Sequence, residues 1–157
     1  MPESDDKRGP GLRFPPPLLP LALIGGSWLL ERRVALPISG NDALWWPGLL
    51  LLAATMILAA VCVLQFLRAR THVEPWQPTT TIIQSGLFRY SRNPIYLGFC
   101  IATLATGLIL DSWWTIAALL PLVYLLQLLV IHKEEVYLEA KFGEDYLDYR
   151  RRVRRWL

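Results

Sequence analysis

The sequence predicts an all-α integral-membrane bundle of about four transmembrane helices, closed by an amphipathic C-terminal helix on the cytoplasmic side. Three observations carry that expectation. Residues 44–67 run for twenty-four positions without a charge, against the roughly 20 needed to cross a bilayer core. Hydrophobic residues make up 54% of the chain and charged residues 18%, a balance tilted away from that of soluble domains. The charges that remain are unevenly placed, as their position along the chain makes plain.

The 157 residues suffice for one domain and not for two. Residues 1–13 are polar and punctuated by Pro and Gly, and are expected to form a disordered tail. Residues 14–157 form the membrane domain. Its first span covers residues 15–36, with its prolines in or before the first turn, where a missing N–H costs little. No small-residue cleavage pattern follows it, so it reads as a span and not as a removable signal. Gly25-Gly26 offers a place for a neighbouring helix to come close.

Asn41-Asp42 marks a turn and the start of the second span, 44–67. Residues 68–92 form a polar connection in which Pro75, Pro78 and Thr79-Thr80-Thr81 argue against continuous helix. The third span, 94–110, and the fourth, 113–131, are separated only by Asp111-Ser112, which demands a tight antiparallel hairpin. From His132 the chain is charged, with helical patterning to Phe142 and Gly143 as its C-cap. Cys62 and Cys100 lie inside apolar runs and match neither a disulfide framework nor zinc-ligand spacing.

With both termini in the cytoplasm, fourteen Lys and Arg residues fall on the inner side and only Arg32 and Arg33 on the outer. That asymmetry satisfies the positive-inside rule, and Trp45-Trp46 and Trp113-Trp114 fall at the outer helix ends as an aromatic belt. The connection 68–93 and the segment 132–157 then share the cytoplasmic side.

Two stretches carry possible chemistry. Gly86 to Gly98 packs Arg89, Arg92, Asn93-Pro94, Tyr96 and two glycines into the approach to an apolar helix. Headgroup-seeking arginines and a first-turn proline account for part of it, but not for Tyr96 and Gly98. Glu134-Glu135 places two acids at the inner end of the fourth span, where the helix dipole disfavours them unless a cation is near. Exposed pairs with Lys133 or Lys141 are the plainer reading. Adjacent helical residues point about 100° apart, so one carboxylate of the two faces the mouth. His132, Glu135 and Glu139 share helical spacing, yet no further ligand joins them and no metal site is expected. The tail carries Tyr146, Tyr149, Val153 and Trp156 at helical spacing among five arginines. It reads as a helix lying on the membrane surface, not as a nucleic-acid arm.

Taken together, Gly86, Phe88, Arg92-Asn93-Pro94, Tyr96 and Gly98, followed by Glu134-Glu135, Leu138, Phe142-Gly143, Tyr146 and Tyr149, carry a specific joint pattern. It resembles the membrane methyltransferases that include isoprenylcysteine carboxyl methyltransferases and phospholipid N-methyltransferases, over about residues 44–157. The resemblance implies S-adenosylmethionine as cofactor, contacted by Ile82, Ile83, Phe88, Asn93, Pro94, Ile95, Tyr96 and Glu134. It implies a lipophilic or lipidated acceptor reached from the bilayer, with Arg89 and Arg92 as substrate-side candidates, membrane lipids as partners and no nucleic acid. It designates no catalytic base. Asn93 stands where the family more usually has histidine, and Val130 where carboxyl-methylating members carry an arginine. The rival readings are an NADPH-dependent membrane reductase resembling the sterol reductases, and a non-enzymatic membrane scaffold.

Overall fold

Apolar runs become helices here, and the breaks between them fall at turn residues. The computed structural model describes residues 9–12, 14–74 and 77–157. The expected tail 1–13 lies mostly outside them, as does Pro75. Among the described residues seven α-helices follow in order: α1 (Leu18–Glu31), α2 (Trp45–Arg68), α3 (Pro94–Ile109), α4 (Trp113–Ala117), α5 (Leu119–Leu126), α6 (His132–Phe142) and α7 (Glu144–Arg152). Short 3₁₀ turns precede α2 and α3, and a π-helical turn, Gln127–Ile131, joins α5 to α6. The described residues contain no strand, only an isolated antiparallel bridge between Pro37 and Ser112.

Among the described residues two helical stretches are long and apolar enough to cross a membrane, the 27-residue Asp42–Arg68 and the 30-residue Trp113–Phe142. The apolar helices α1 and α3 have 14 and 16 residues, and their helical lengths of roughly 21–24 Å fall short of the hydrocarbon core. The fourth apolar run departs from expectation at its end. Helical structure continues from the π-helical turn through His132 to Phe142, so Glu134 and Glu135 stand in the first turn of α6 and not at a helix C-terminus, and the dipole argument against them does not apply. Gly143 stops it as expected: at φ 52° it takes a conformation natural to glycine, and its N–H caps the Glu139 carbonyl.

The chain forms two compact units. The apolar unit comprises Pro16–Ala59 and Ile95–Leu126. Within it, α2 and α3 meet at Gly48, where an added Cβ would lie 2.7 Å from Ile109 Cγ1 and 2.9 Å from the Ala105 carbonyl. By contrast, a Cβ at Gly25 or Gly26 would meet nothing within 4 Å. The close approach expected at that pair is therefore corrected. α1 packs instead on α4 and α5, with Ser27 Oγ 2.9 Å from Thr115 Oγ1.

The Asp111-Ser112 hairpin forms as expected, with Asp111 at φ 50°. Its carboxylate accepts N–H bonds from Ser39 and Gly40, both 2.8 Å, and the Ser39 hydroxyl at 2.9 Å. Those donors, the Ser39 N–H foremost, hold the Asp111 carboxyl below its ordinary value. Glu31 accepts from the Leu36 N–H and the Ser112 hydroxyl, and the Trp114 indole donates to the Val34 carbonyl. Asn41 caps the entry to α2 by accepting the Ala43 N–H at 2.8 Å.

Candidate functional site

The polar unit comprises Ala60–Pro94 and Gln127–Leu157, with the stretch up to Pro15. Among its described residues the connection 68–93 holds no continuous helix, in keeping with Pro78 and the threonine tract. Side chains tie it down locally. Thr71 Oγ1 accepts the Thr80 N–H at 3.0 Å, and the Tyr137 hydroxyl accepts the Thr79 N–H at 3.2 Å.

Gly86 opens the turn before α3 at φ 59°. A Cβ there would lie 1.5 Å from Gln65 Nε2, so glycine is required both by conformation and by space. Gln65 Nε2 donates to the Ser85 carbonyl at 3.3 Å. One residue along α2, Phe66 meets Phe88 edge to face at 5.5 Å. The turn therefore rests on the C-terminal end of α2 through an amide and an aromatic pair.

The Ser91-Arg92-Asn93 segment is held by the C-terminal tail. The Arg92 N–H donates to the Arg154 carbonyl at 3.0 Å. Ser91 Oγ and Asn93 Nδ2 both donate to the Arg155 carbonyl, at 3.3 and 3.0 Å. Pro94 then begins α3 at the position where its missing N–H is harmless.

At the centre of the unit is Glu135, 6% exposed. Arg155 grips it with two hydrogen bonds of 3.0 and 2.6 Å, and Arg92 Nη1 pairs with it at 2.9 Å. Arg92 Nη1 also donates to the Tyr146 hydroxyl at 3.1 Å. Burial, and then the Glu135 charge, raise the Tyr146 pKa, while burial raises that of Tyr149 further. Both phenols therefore stay protonated at neutral pH. Tyr149 donates to the Phe88 carbonyl at 2.7 Å. The hydrogen bonds from Arg155 to Glu135 raise the Arg155 pKa in turn.

The tail thus departs from expectation. Helix α7 ends at Arg152 and Val153 is extended, while Tyr146 and Tyr149 are 2% and 4% exposed. Their ring faces and hydroxyls are used inside the protein, so the tyrosine stripe of the supposed surface helix is core.

The sequence-predicted site residues separate clearly. Ile82, Ile83 and Glu134 are half-buried, Phe88, Asn93 and Pro94 are buried, and Arg89 is exposed. All of these, with Arg92, lie in the polar unit. Ile95 and Tyr96 begin the apolar unit, where Tyr96 is buried and lies 5.8 Å from the Phe99 ring. The structure joins the two motifs through Arg92 and Glu135. It gives the Asn93 amide a tail carbonyl and Arg92 a carboxylate partner. Sequence reasoning missed Gln65 and Arg155; a glutamine at the charged end of an otherwise apolar run was the one available signal for the former. A groove lined by Gly26, Leu29, Leu30, Arg32 and Arg33 lies on the apolar unit and holds none of the site residues.

Comparison with known proteins bears on the same stretch. The phospholipid methyltransferase family profile matches residues 44–145. Protein-S-isoprenylcysteine O-methyltransferase of Schizosaccharomyces pombe is 29% identical over 110 residues, covering 63% of this chain and 47% of its own length. The chain therefore spans about half of that enzyme. An uncharacterised protein of Haemophilus influenzae is 35% identical over 63 residues, 40% of this chain and 100% of its own length. No solved structure matches. The matched region takes in α2, the Gly86 turn, α3 and the Glu134-Glu135 doublet, and on that match the chain belongs to the phospholipid methyltransferase family.

Proposed function

We propose that the chain is an S-adenosylmethionine-dependent methyltransferase acting on a lipophilic or membrane-associated acceptor. The observation that carries this reading is the 2.9 Å ion pair between Arg92 and Glu135. It joins the two motifs whose joint presence marks the family resemblance, so that Asn93-Pro94 and Glu134 belong to one structured unit.

The residues of the polar unit suit such a cofactor. Two buried polar atoms have no partner among the described residues, Gln65 Oε1, an acceptor, and Arg92 Nε, a donor. Buried polar groups are nearly always satisfied, and a ligand with both donors and acceptors answers that need. Ile82, Ile83 and Phe88 provide apolar surface for a purine, and the Glu134 carboxylate provides an acceptor for an ammonium or ribose hydroxyl. When bound, S-adenosylmethionine supplies a methyl group activated on a sulfonium. The chain's own contribution is to orient that cofactor and exclude water around it, since in-line displacement gains most from alignment.

On the acceptor side, Arg92 is already committed to Glu135, which leaves the exposed Arg89 as the substrate-side cation. Val130 is fully buried in the π-helical turn. An acceptor that needs no guanidinium at that position, such as an amine or an uncharged lipid group, fits better than a prenylcysteine carboxylate. The proposed topology has four spans with both termini cytoplasmic, α1 and α3 being lengthened by their apolar flanks. It is supported by the fourteen-to-two charge asymmetry.

Titration of the detergent-solubilised chain with S-adenosylhomocysteine and, separately, with NADPH tests the reading by calorimetry. Binding of the first without the second is expected. Binding of NADPH alone would replace this reading with a reductase.

A further inference from the structure

The geometry points to Gln65 as the residue that reads the nucleobase, its side-chain carbonyl accepting a hydrogen bond from the exocyclic amine of adenine. This rests on the proposed methyltransferase reading and goes beyond it, because no motif of the resemblance includes Gln65. Three observations converge on it.

First, Gln65 Oε1 is buried without a partner, one of two such side-chain atoms among the described residues. Second, the amide is oriented. Nε2 donates to the Ser85 carbonyl, so turning the amide over would set its oxygen against another oxygen. The unpartnered group is therefore an acceptor and calls for a donor. Third, the surroundings suit a flat aromatic ligand. The missing side chain at Gly86 is what lets the Gln65 amide lie against the turn, since a Cβ there would strike it. The neighbouring Phe66 meets Phe88 edge to face and supplies apolar aromatic surface, and a side-chain amide oxygen accepting from the adenine N6 amine is one half of the bidentate contact by which glutamine and asparagine read adenine.

Arg92 Nε, the other unpartnered atom, is a donor, so it is not an alternative reader of an amine. Ribose hydroxyls and the amino-acid ammonium are also donors, and the choice between them and the base is open to direct test. In inosine a carbonyl oxygen replaces the amine, which would face the Gln65 oxygen as like against like.

The full-length chain in detergent is titrated with S-adenosylhomocysteine and with S-inosylhomocysteine. The unmodified chain should prefer the adenine compound by about tenfold or more, the expected cost of one lost hydrogen bond with a buried acceptor left unmet. Gln65→Met keeps the length of the side chain and removes the acceptor. It should lose about tenfold in affinity for S-adenosylhomocysteine and bring the ratio between the two ligands close to one. It also removes the hydrogen bond from Nε2 to the Ser85 carbonyl, so its thermal melting should fall only by the small amount expected of one exposed hydrogen bond. Equal affinity of the unmodified chain for both compounds would overturn the assignment without reference to any variant. A preference that survives in Gln65→Met would overturn it too, while leaving the methyltransferase reading intact. Failure of the unmodified chain to bind either compound would remove both.

Discussion

Asp111 in the apolar unit and Glu135 in the polar unit are both carboxylates that gather several donors, yet they do different work. Asp111 is open to water, and its donors are main-chain N–H groups and one hydroxyl. Glu135 is buried, and its partners are two arginines from distant parts of the sequence. The first arrangement closes a loop at small desolvation cost. The second takes Glu135 and Arg92 out of water while Arg155 stays partly exposed, and there the attraction only balances desolvation if every group is met. One is not: Arg92 Nε lacks a partner, and so does Gln65 Oε1 in the same unit. Among the described residues both unpartnered buried side-chain atoms fall in the polar unit, the pattern expected if the proposed site lies there.

That contrast can be broken by mutation. Glu135→Ala strands Arg92 in a buried position and removes the guanidinium grip of Arg155, at an expected cost of about 3–5 kcal/mol. Loss of the monodisperse folded fraction in size-exclusion chromatography, or a collapse of thermal melting, would register it. A Glu135→Ala chain that melts like the parent would show the cluster to be ornamental. In the apolar unit the sensitive point is steric instead. Gly48→Ala drives a methyl group into Ile109 and the Ala105 carbonyl, which should cost about 1–3 kcal/mol.

Tyr149→Phe leaves the Phe88 carbonyl without its buried donor, an expected loss of about 1–3 kcal/mol by denaturant titration. An unchanged midpoint would mean that water replaces the hydroxyl. Glu139→Ala breaks a pair with Arg150 that is nearly half exposed on both sides, so a change below about 1 kcal/mol is expected.

The smallest effect concerns Asp111 and has a definite sign. Its folded pKa lies below the ordinary 3.8, so its contribution is full above that value and is lost as pH falls through the folded pKa. Thermal melting should decline as the medium is acidified below about pH 3.8. Asp111→Asn should weaken that part of the decline; an identical profile in the variant would assign the acid sensitivity elsewhere.

Local rules made much of the fold legible. The uncharged run to Leu67, the Asn41 cap, the Asp111-Ser112 hairpin and the Gly143 stop are each decided by a few adjacent residues. What could not be read depends on partners far away in sequence. Nothing near Gly48 says that Ile109 will press on it, and nothing near Gly25-Gly26 says that no helix will. Tyr146 and Tyr149 have the spacing of a membrane-surface stripe, but Arg92 and the Phe88 carbonyl draw them inward. Within the site, the sequence singled out Arg92, Asn93 and the glutamate doublet. Which glutamate is buried against arginine, and that Asn93 would hold the tail, follow from Arg155, sixty-two residues away from Asn93. In the sequence Gln65 is marked only by its place near the end of an apolar run, and the hydrogen bond its oxygen lacks is invisible until the chain is folded.

The central claim is that the polar unit binds an S-adenosylmethionine-type cofactor through Glu134. Its most direct test is calorimetric titration of the parent chain, Glu134→Ala and Glu139→Ala with S-adenosylhomocysteine under one detergent condition. Saturable binding in the parent and in Glu139→Ala, with none measurable in Glu134→Ala, is the expected result. Binding absent from the parent, or equal in all three chains, would contradict the account.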